Sequence, residues 1–428
     1  MTAIQSTSLA RERAALARAA SRRMASVSTD QKNRALRRIA DLLETEQAPV
    51  LSANAADLAA GRDAGLDSYF IERLTLSPDR LRGIALEVRT VADLPDPVGE
   101  MIDGRTLPNG LRIGRRRVPL GVIACIYESR PNVTVDIASL ALKSGNACVL
   151  RGGKEAVRSN TALGELLQRA LEGTGVPPEA VQVINDPDRA HVDDLLKAHD
   201  LIDLMIPRGG SGLIERVRDQ ATMPVVAGGI GVVHVFVEAS ADLDMALEIV
   251  HNAKTRRYSI CNAVDTVLVD RAIAARFLPA LAEKWAGQVT ILGDPGAREV
   301  LAPFATRGLD LQPATAADWD TEHLALRAGV RVVDGLDGAL AHIAEHGSGH
   351  SEAIVTDNYA SAMRFLDEVD AAAVYVNAST QFTDGAQFGL GAEVGISTQK
   401  MHARGPMGLR ELTSYKWTIL GNGQVRPL

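Results

Sequence analysis

Cysteine is scarce in this sequence, and long apolar runs are missing from it. Three cysteines occur in 428 residues, at Cys125, Cys148 and Cys261, too few and too scattered for a disulfide framework. No Cys or His pair has the spacing of zinc ligands, so we expect no metal site. No stretch approaches the roughly 18 consecutive apolar residues of a membrane-spanning helix. These absences predict a soluble protein of a reducing compartment.

The chain also lacks a secretion signal and a basic block. Its first residues carry arginines and a glutamate among alanines at helical spacing, without an apolar run that ends in a cleavage site. The net charge of -7 comes from 46 basic and 53 acidic residues spread along the chain, and no basic block is interleaved with aromatic residues. We therefore expect a cytoplasmic protein that binds neither nucleic acid nor membranes.

The length predicts two large domains, and the local patterns divide the chain further. From residue 10 to about residue 92 apolar residues recur at helical spacing, until the prolines of LPDPVG end that region. The segment RTLPNGLRIGRRRVPLG predicts a hairpin around Pro108-Asn109-Gly110, which could join an oligomer interface. The last segment, RGPMGLRELTSYKWTILGNGQVRPL, is typical of extended chain and would suit pairing with that hairpin.

Between these segments short apolar strands alternate with amphipathic helices, which predicts a parallel α/β sheet. VPLGVIACI and ACVLRG are strands, and we expect helices over Asn132–Lys143 and Asn160–Leu171. Pro131 suits a helix start, and Gly145 suits the left-handed conformation at a helix end. Near Gly228–Gly231 the pattern restarts with VVHVFV and AVDTVLV, so a second α/β domain is predicted there.

Cys261 is the cysteine best placed to react. It follows a turn-prone Tyr-Ser pair, precedes a predicted strand and has basic residues nearby in Lys254–Arg257, where positive charge favours the thiolate. Cys125 and Cys148 lie within predicted strands, where inert packing is the commoner role of a cysteine. Placement in a loop beside positive charge therefore predicts that Cys261 is a nucleophile.

Two glycine-rich turns follow predicted strands of one sheet and precede helices, whose N-terminal N–H groups attract anions. Either could be a simple strand-to-helix turn, but their repetition favours phosphate recognition. Neither matches the fingerprint G-x-G-x-x-G, so an ordinary Rossmann fold is not expected. The candidate residues are Arg151, Gly152, Gly153 and Lys154 in the first turn, and Gly209, Gly210 and Ser211 in the second.

Taken in order, several segments resemble the aldehyde dehydrogenase superfamily nearly from end to end, within it the branch that reduces L-glutamyl 5-phosphate. They are DRLRGI, LPDPVG, RVPLGVIACIYESRPNVTVD, LKSGNACVLRGGKEAVRSN, NAKTRRYSICNAVDTVLV, HGSGHSEAIVT and FTDGAQFGLGAEVGISTQKMHARGPMGL. The resemblance implies an α/β fold with a Rossmann-like parallel-sheet cofactor domain over residues 1–104 and 119–230. It also implies an α/β catalytic domain over 231–395, which carries Cys261, and a small β oligomerisation extension over 105–118 and 396–428.

The resemblance further implies NADPH-dependent reduction of L-glutamyl 5-phosphate to L-glutamate 5-semialdehyde with release of phosphate, the second step of proline biosynthesis. Thiol chemistry agrees, because attack by Cys261 expels phosphate and leaves a thioester that accepts hydride, after which the thiohemiacetal collapses to the aldehyde. Negative charge develops on the carbonyl oxygen, so we expect hydrogen-bond donors there, one of them the Cys261 backbone N–H. The resemblance implies Asn132 as the second donor, by similarity to an asparagine of the superfamily. Asn132 could instead be an ordinary first-turn helix residue.

The resemblance also assigns cofactor residues. Arg151 and Lys154 lie in the segment that reaches the adenosine ribose in relatives. Two cations there would suit a 2′-phosphate, so we expect NADPH rather than NADH. The turn Gly209–Ser211 resembles the one that binds the pyrophosphate. Glu322 resembles the glutamate that holds the nicotinamide ribose, with a solvated helix-end carboxylate as the alternative.

The substrate carries an amino acid group and a phosphoryl group, so arginine, histidine and carboxylate partners are expected. The candidates are Glu128, Arg130, His346, His350 and Arg404, any of which could instead form a buried pair that fixes a loop. The expected macromolecular partners are further copies of the chain, and a glutamate 5-kinase that passes on the labile intermediate is a candidate partner.

Two departures from the superfamily pattern bear on the reaction. Members that hydrolyse a thioester carry a glutamate base in Glu-Leu-Gly-Gly, whereas this chain has Val226-Ala227-Gly228-Gly229, which favours a reductase. Gln-Arg-Pro usually precedes the cysteine, but here Arg256-Arg257-Tyr258 does, which frees a backbone dihedral and restores an N–H. The alternatives are another NAD(P)-dependent member that oxidises a small aldehyde, and a catalytically silent scaffold.

Overall fold

The computed structural model describes residues 8–426, which form two compact units. The first unit extends to Ala227 and also includes Gly389–Gly395 and the residues from Met407 onward. The second unit comprises Gly228–Phe388 and Ile396–Pro406. Compactness does not identify function, so the predicted assignment of cofactor binding and catalysis to separate domains stays a prediction.

The helices of the first unit begin where short polar side chains cap them. Ser8 accepts a hydrogen bond from the N–H of Arg11, and Ser28 forms a capping box with Gln31. The helical region predicted to end at about residue 92 is confirmed by the first five helices. In chain order, the helices of this unit are α1 Leu9–Met24, α2 Thr29–Thr45, α3 Gln47–Asp63, α4 Ser68–Leu74, α5 Pro78–Asp93, α6 Asn132–Lys143, α7 Val157–Leu171, α8 Ala190–Leu196 and α9 Ser211–Gln220.

Helix α7 starts earlier than the sequence predicts, at Val157 instead of Asn160. Asp57, on α3, accepts hydrogen bonds from the backbone N–H groups of Arg158 and Ser159, at 3.4 and 2.8 Å. A carboxylate from another helix therefore satisfies donors that the local sequence leaves uncapped. This capping group is distant in sequence, so the periodicity of the segment could not reveal the true start.

Two sheets complete the first unit. Its strands are β1 Met101–Thr106, β2 Arg112–Pro119, β3 Val122–Tyr127, β4 Ala147–Arg151, β5 Val181–Val183, β6 Leu204–Arg208 and, last in the chain, β16 Thr413–Leu420. The predicted parallel sheet has the order β5-β4-β3-β6. Helix α6 has its predicted bounds, and Gly145 after it has a φ of +77°, which glycine adopts without strain.

The predicted hairpin and its pairing with the C-terminal segment are both confirmed. Strands β1 and β2 pair antiparallel, and β16 adds to the other edge of β2. Tyr415 and Trp417 of β16 are about half exposed, and the Arg115 guanidinium of β2 lies 4.9 Å from the centre of the Tyr415 ring. An exposed aromatic face of this kind is compatible with the predicted oligomerisation role, which stays a prediction.

The second unit repeats the alternation of strands and helices, as predicted. Its elements are β7 His234–Val237, α10 Leu243–Thr255, β8 Thr266–Asp270, α11 Arg271–Trp285, β9 Thr290–Gly293, α12 Pro295–Ala305, β10 Leu311–Pro313, β11 Arg327–Val333, α13 Gly335–His346, β12 Ser351–Val355, α14 Tyr359–Glu368, β13 Ala373–Val376, β14 Ile396–Ser397 and β15 Gly405–Pro406. The seven-stranded parallel sheet of this unit has the order β10-β9-β11-β8-β7-β12-β13, and β7, β8 and β12 are buried along their whole length. The loop before β8 carries the candidate nucleophile.

Between residues 8 and 426, none of the helices combines the length and the apolar composition that crossing a membrane requires.

Candidate active site

Cys261 lies, partly exposed, in the loop that joins α10 to β8. The other two cysteines are fully buried in β3 and β4, and burial raises the pKa of Cys125 to about 12 and also raises that of Cys148. Only Cys261 therefore combines solvent access with a position in a loop, as the sequence predicts.

Gly231 lies against the backbone of the nucleophile. A Cβ atom added to Gly231 would overlap the carbonyl oxygen of Cys261 and lie 2.7 Å from its carbonyl carbon. Only glycine allows this approach, because every other residue carries a Cβ. The N–H of Gly231 donates a hydrogen bond to the carboxylate of Glu322, whose pKa is raised by burial. The structure thus brings Cys261 and Glu322, which the sequence analysis singled out separately, to either side of one glycine.

A buried ion pair anchors the same region. Lys254 is fully buried at the end of α10, where its Nζ donates to the carbonyl of Val264 at 2.9 Å and lies 3.8 Å from Asp265. Asp265 in turn accepts the N–H of His323 at 2.9 Å, which fixes the residue next to Glu322. Burial lowers the pKa of Lys254 and raises the pKa of Asp265. The charge of Lys254 is therefore balanced by Asp265, and its main effect is to hold the loop's end in place.

Asn262, the residue after the nucleophile, is fixed by the segment around residues 380–383. Its Nδ2 donates to the carbonyl of Thr383 at 3.0 Å, and its own carbonyl accepts the Thr380 hydroxyl at 2.8 Å. Its side chain is only 4% exposed. The nucleophile is thus followed by a residue that cannot change its rotamer without losing buried hydrogen bonds.

Three of the candidate substrate residues in the second unit already have protein partners. His346 Nδ1 lies 2.8 Å from Asp320, and Arg404 donates to Asp370 at 2.7 Å. His350 is buried beside the Ser351 hydroxyl, at 2.8 Å, and burial lowers its pKa to about 4. These contacts are what the alternative role, fixing a loop, requires. A neutral His350 also cannot act as a cation toward a phosphoryl group near pH 7.

In the first unit, Asn132 is the first residue of α6. Its Nδ2 donates to Asp136 at 2.9 Å, whereas its buried Oδ1 has no partner among the described residues. Burial raises the pKa of Asp136 to about 7. One N–H of the Asn132 amide is left for an oxyanion. Arg130, partly buried just before this helix, has its carbonyl bonded to the N–H of Val133 at 3.0 Å.

The second glycine turn contains a carboxylate that the sequence analysis assigned to the substrate. Glu128 accepts the N–H of Gly210 at 2.9 Å, and a Cβ on Gly209 would lie 2.5 Å from its carboxylate. Both glycines and Ser211 are exposed. Glu128 therefore occupies the helix N-terminus at which an anion was expected, and one N–H of that turn is already satisfied by the protein.

In the first glycine turn, neighbouring side chains leave no room for a Cβ atom at either glycine. A Cβ on Gly152 would overlap the amide nitrogen of Asn160, and one on Gly153 would overlap the carboxylate of Glu155. Arg151 is only 8% exposed and donates to the carbonyl of Pro187 at 2.9 Å. Lys154, by contrast, is exposed and available to a ligand.

Position 226 has no ionisable side chain, and the described residues contain no metal-binding cluster. Val226 is buried, and its N–H pairs with the carbonyl of Met205 at 3.0 Å, so this position offers only an apolar side chain. Among residues 8–426, no three His, Cys, Asp or Glu side chains come together as a metal site.

Sequence reasoning overlooked Gly231, Gln381 and Glu155. Gly231 has a signal, since it ends the glycine-rich run Gly228-Gly229-Ile230-Gly231, which we used only as a domain boundary. Glu155 accepts the backbone N–H of Ser129 at 2.8 Å, and Gln381 donates to the carbonyl of Ala253 at 2.9 Å. Both contacts are with segments distant in sequence, so no local pattern indicates them.

Comparison with known proteins places the chain among relatives that share almost its whole length. The model of the aldehyde dehydrogenase family matches residues 3–304. The γ-glutamyl phosphate reductase of Dehalococcoides mccartyi is 56% identical over 416 residues, which are 97% of this chain and 98% of that protein. The γ-glutamyl phosphate reductase of Salmonella agona is 54% identical over 411 residues, 96% and 98% of the two chains.

Solved structures agree. The crystal structure of the γ-glutamyl phosphate reductase from Thermotoga maritima has a TM-score of 0.94 and 46% identity, covering 98% of this chain and 100% of that one. An acetylating aldehyde dehydrogenase from Geobacillus thermoglucosidasius, at 18% identity, shares the fold with a TM-score of 0.69 over 98% of each chain.

Proposed function

Since the chain belongs to the aldehyde dehydrogenase family and matches γ-glutamyl phosphate reductases over nearly its full length, we infer that it has γ-glutamyl phosphate reductase activity. This activity is a step of proline biosynthesis. The observation that carries the inference is the 56% identity over 97% of the chain, which includes the segment of Cys261. The resemblance and the predicted γ-glutamyl phosphate reductase activity are thereby confirmed, whereas NADPH as the cofactor and the Cys261 thioester stay proposals.

The reaction runs through the sulfur of Cys261. The thiolate attacks the γ-carbonyl carbon of L-glutamyl 5-phosphate, a carbon–sulfur bond forms, and the carbon–oxygen bond to phosphate breaks. Bound NADPH supplies a hydride to the thioester carbon. The resulting thiohemiacetal collapses, which releases L-glutamate 5-semialdehyde and restores the thiolate. The backbone N–H of Cys261 and the remaining N–H of Asn132 are the donors we assign to the developing oxyanion.

Water must not compete for the thioester. The apolar Val226 at the position where hydrolytic relatives carry a glutamate leaves no base there to activate water. The acyl group therefore persists until hydride or phosphate reaches it. This absence favours the reductase over the alternative, a family member that oxidises a small aldehyde to a free acid.

In the direction of aldehyde oxidation, we expect NADP reduction with glutamate 5-semialdehyde to require inorganic phosphate. Phosphate is the acceptor of the Cys261 acyl group, and an unassisted water reaction is slower by the roughly 10²-fold or more that a general base contributes. The measurement is the rate of NADPH formation with phosphate and with sulfate at equal ionic strength. An equal rate in sulfate would indicate an ordinary dehydrogenase. No turnover in either salt, by folded protein that binds nucleotide, would indicate a silent scaffold.

The family uses a NAD(P) cofactor, and the turns that follow β4 and β6 are our candidates for binding it. Lys154 and Ser211 are both exposed in these turns, after the two strands that flank β3 in the parallel sheet, and such sheets bind nucleotides beyond the carboxyl ends of their strands. We assign Lys154 to the 2′-phosphate of NADPH, with Arg151 behind it, and the turn Gly209–Ser211 to the pyrophosphate. Glu322 is our candidate for the nicotinamide ribose, although its carboxylate also holds Gly231.

Replacing Lys154 by alanine should lower kcat/KM for NADPH about tenfold, because a charge-assisted hydrogen bond to a phosphate is worth about 1.5 kcal/mol or more. The value for NADH, which lacks that phosphate, should stay within about twofold of the parent, a difference of about 0.4 kcal/mol. Steady-state kinetics with both cofactors test this. Lys197→Ala, which removes an exposed lysine elsewhere in the first unit, is the control. An equal loss with both cofactors would contradict the assignment.

We also propose that the chain forms homo-oligomers through the sheet of β1, β2 and β16, and that a glutamate 5-kinase delivers its substrate. The exposed aromatic residues of β16 support the first proposal. The second rests on the lability of an acyl phosphate in water. The residues expected to contact the substrate, Glu128, Arg130, His346, His350 and Arg404, remain proposals.

A further inference from the structure

Gln381 contacts the loop that carries the nucleophile on both sides of Cys261. It lies in the short 3₁₀ turn Thr380–Phe382 and is only 5% exposed. Its Nε2 donates to the carbonyl of Ala253 at 2.9 Å, at the end of α10, and to the carbonyl of Arg257 at 3.3 Å, inside the loop. One amide group therefore joins the helix that precedes the loop to the loop itself.

The acceptor side of the same residue is also used. Arg256 donates through Nη1 to Gln381 Oε1 at 3.2 Å. The backbone carbonyl of Gln381 lies 3.4 Å from the Nδ2 of Asn262, whose main partner is Thr383. Contacts from Gln381 therefore reach residues on both sides of Cys261, and every polar group of its amide has a partner.

We propose that Gln381 is a positioning residue for Cys261, which sets the direction from which the sulfur meets the acyl carbon. The proposal rests on the inferred reductase function and deepens it. The nucleophile is preceded by Arg256, Arg257 and Tyr258, and since none of them is proline, no ring restricts the backbone of this part of the loop. Gln381 supplies that restriction from outside the loop, through hydrogen bonds to its backbone.

The physical consequence of losing the amide follows from burial. Without it the carbonyls of Ala253 and Arg257 lose buried partners, and the loop must move to find others. A displacement of about 1 Å in a reacting group can cost about 100-fold in rate. The effect should fall on the reactivity of the sulfur, because Gln381 contacts the Cys261 loop and helix α10, and none of its hydrogen bonds is to a residue that we assign to the substrate.

The test compares Gln381→Leu with Gln387→Leu, the same change at an exposed glutamine a few residues further on. We expect Gln381→Leu to lower kcat about 10- to 100-fold with KM changed by less than about threefold, and Gln387→Leu to match the parent. The rate of alkylation by iodoacetamide then measures the reactivity of the Cys261 sulfur without any substrate. We expect its rate at Cys261 to fall and its pH profile to shift in Gln381→Leu alone, with Cys261→Ala as the blank.

Thermal unfolding is measured for every variant. A lower melting temperature with parental alkylation of the folded protein would mean that Gln381 only stabilises the fold, and the proposal would be wrong. If Gln381→Leu does not fold, Gln381→Glu is used, since it keeps the acceptor for Arg256 and loses both donors. If the parent protein shows no reductase turnover but Cys261 is alkylated at different rates in the parent and in Gln381→Leu, the proposed function is wrong and this inference stands. If Gln381→Leu has the parent's alkylation rate and full turnover, the proposed function stands and this inference is wrong.

Discussion

Serine in place of Cys261 should lower kcat for reduction of L-glutamyl 5-phosphate by on the order of 10⁴-fold or more, as loss of a covalent nucleophile does in other enzymes. The hydroxyl has nearly the same size, so the loop that Asn262 and Gly231 define should keep its shape. What is lost is a thiol, which ionises far more readily than a hydroxyl and gives a much stronger nucleophile. The measurement is single-turnover kinetics with NADPH, combined with mass spectrometry of the acylated protein.

The two buried cysteines provide the matched control. Cys125→Ala and Cys148→Ala each remove a thiol from the interior of a strand, so they should cost some stability and leave kcat within about twofold. In the absence of NADPH, a glutamyl group should be found on the peptide that contains Cys261 and on no other. Parental rates in Cys261→Ser, or an acyl group on another residue, would exclude the thioester mechanism.

Alanine in place of Gly231 should lower kcat about 100-fold, the second largest effect we expect, because its methyl group would overlap the carbonyl oxygen of Cys261. Either the Cys261 loop or the segment of Gly231 must move. In the second case the hydrogen bond from Gly231 to Glu322 is lost as well, and the pKa of Glu322 should rise further because burial then acts without that donor. Steady-state kinetics and the rate of Cys261 alkylation measure the displacement.

Gly229→Ala is the control, two residues earlier in the same segment. Its methyl group would approach only the hydroxyl of Thr398, at 3.2 Å, and a side chain can move aside where a backbone carbonyl cannot. We expect this variant to retain most of the activity. Full activity in Gly231→Ala would show that the close approach to Cys261 does not matter for catalysis.

The fold could be predicted from the sequence because its helices and strands follow from the local spacing of apolar and turn-forming residues. Alternation of apolar strands with amphipathic helices gave both parallel sheets, and Pro108-Asn109-Gly110 gave the hairpin. The start of α7 was missed because its cap, Asp57, comes from another helix. Boundaries depend on such tertiary partners, whereas the existence of a helix depends on the spacing of its own apolar residues.

The candidate site likewise has residues that local sequence patterns indicate and residues whose roles depend on contacts distant in sequence. Cys261 could be found from its loop and its charged surroundings, and Lys154 from its place after a strand. The contacts of Gln381 with Ala253 and Arg257 could not, since they span more than 120 positions. Glu128 shows the converse case. Its predicted contact with the substrate stays a proposal, and the structure adds that its carboxylate accepts the N–H of Gly210, a contact that no local pattern indicates.

The burial of Cys125 and Cys148 has a consequence for damage by oxidants. Hydrogen peroxide attacks accessible thiolates, so in this chain the sulfenic acid should form at one atom, the sulfur of Cys261. No second accessible cysteine stands ready to trap that product as an intramolecular disulfide. Oxidised molecules would therefore stay folded and keep the sulfenic acid until a small thiol such as glutathione reacts with it. The fraction of inactive protein would then equal the fraction of molecules oxidised at Cys261.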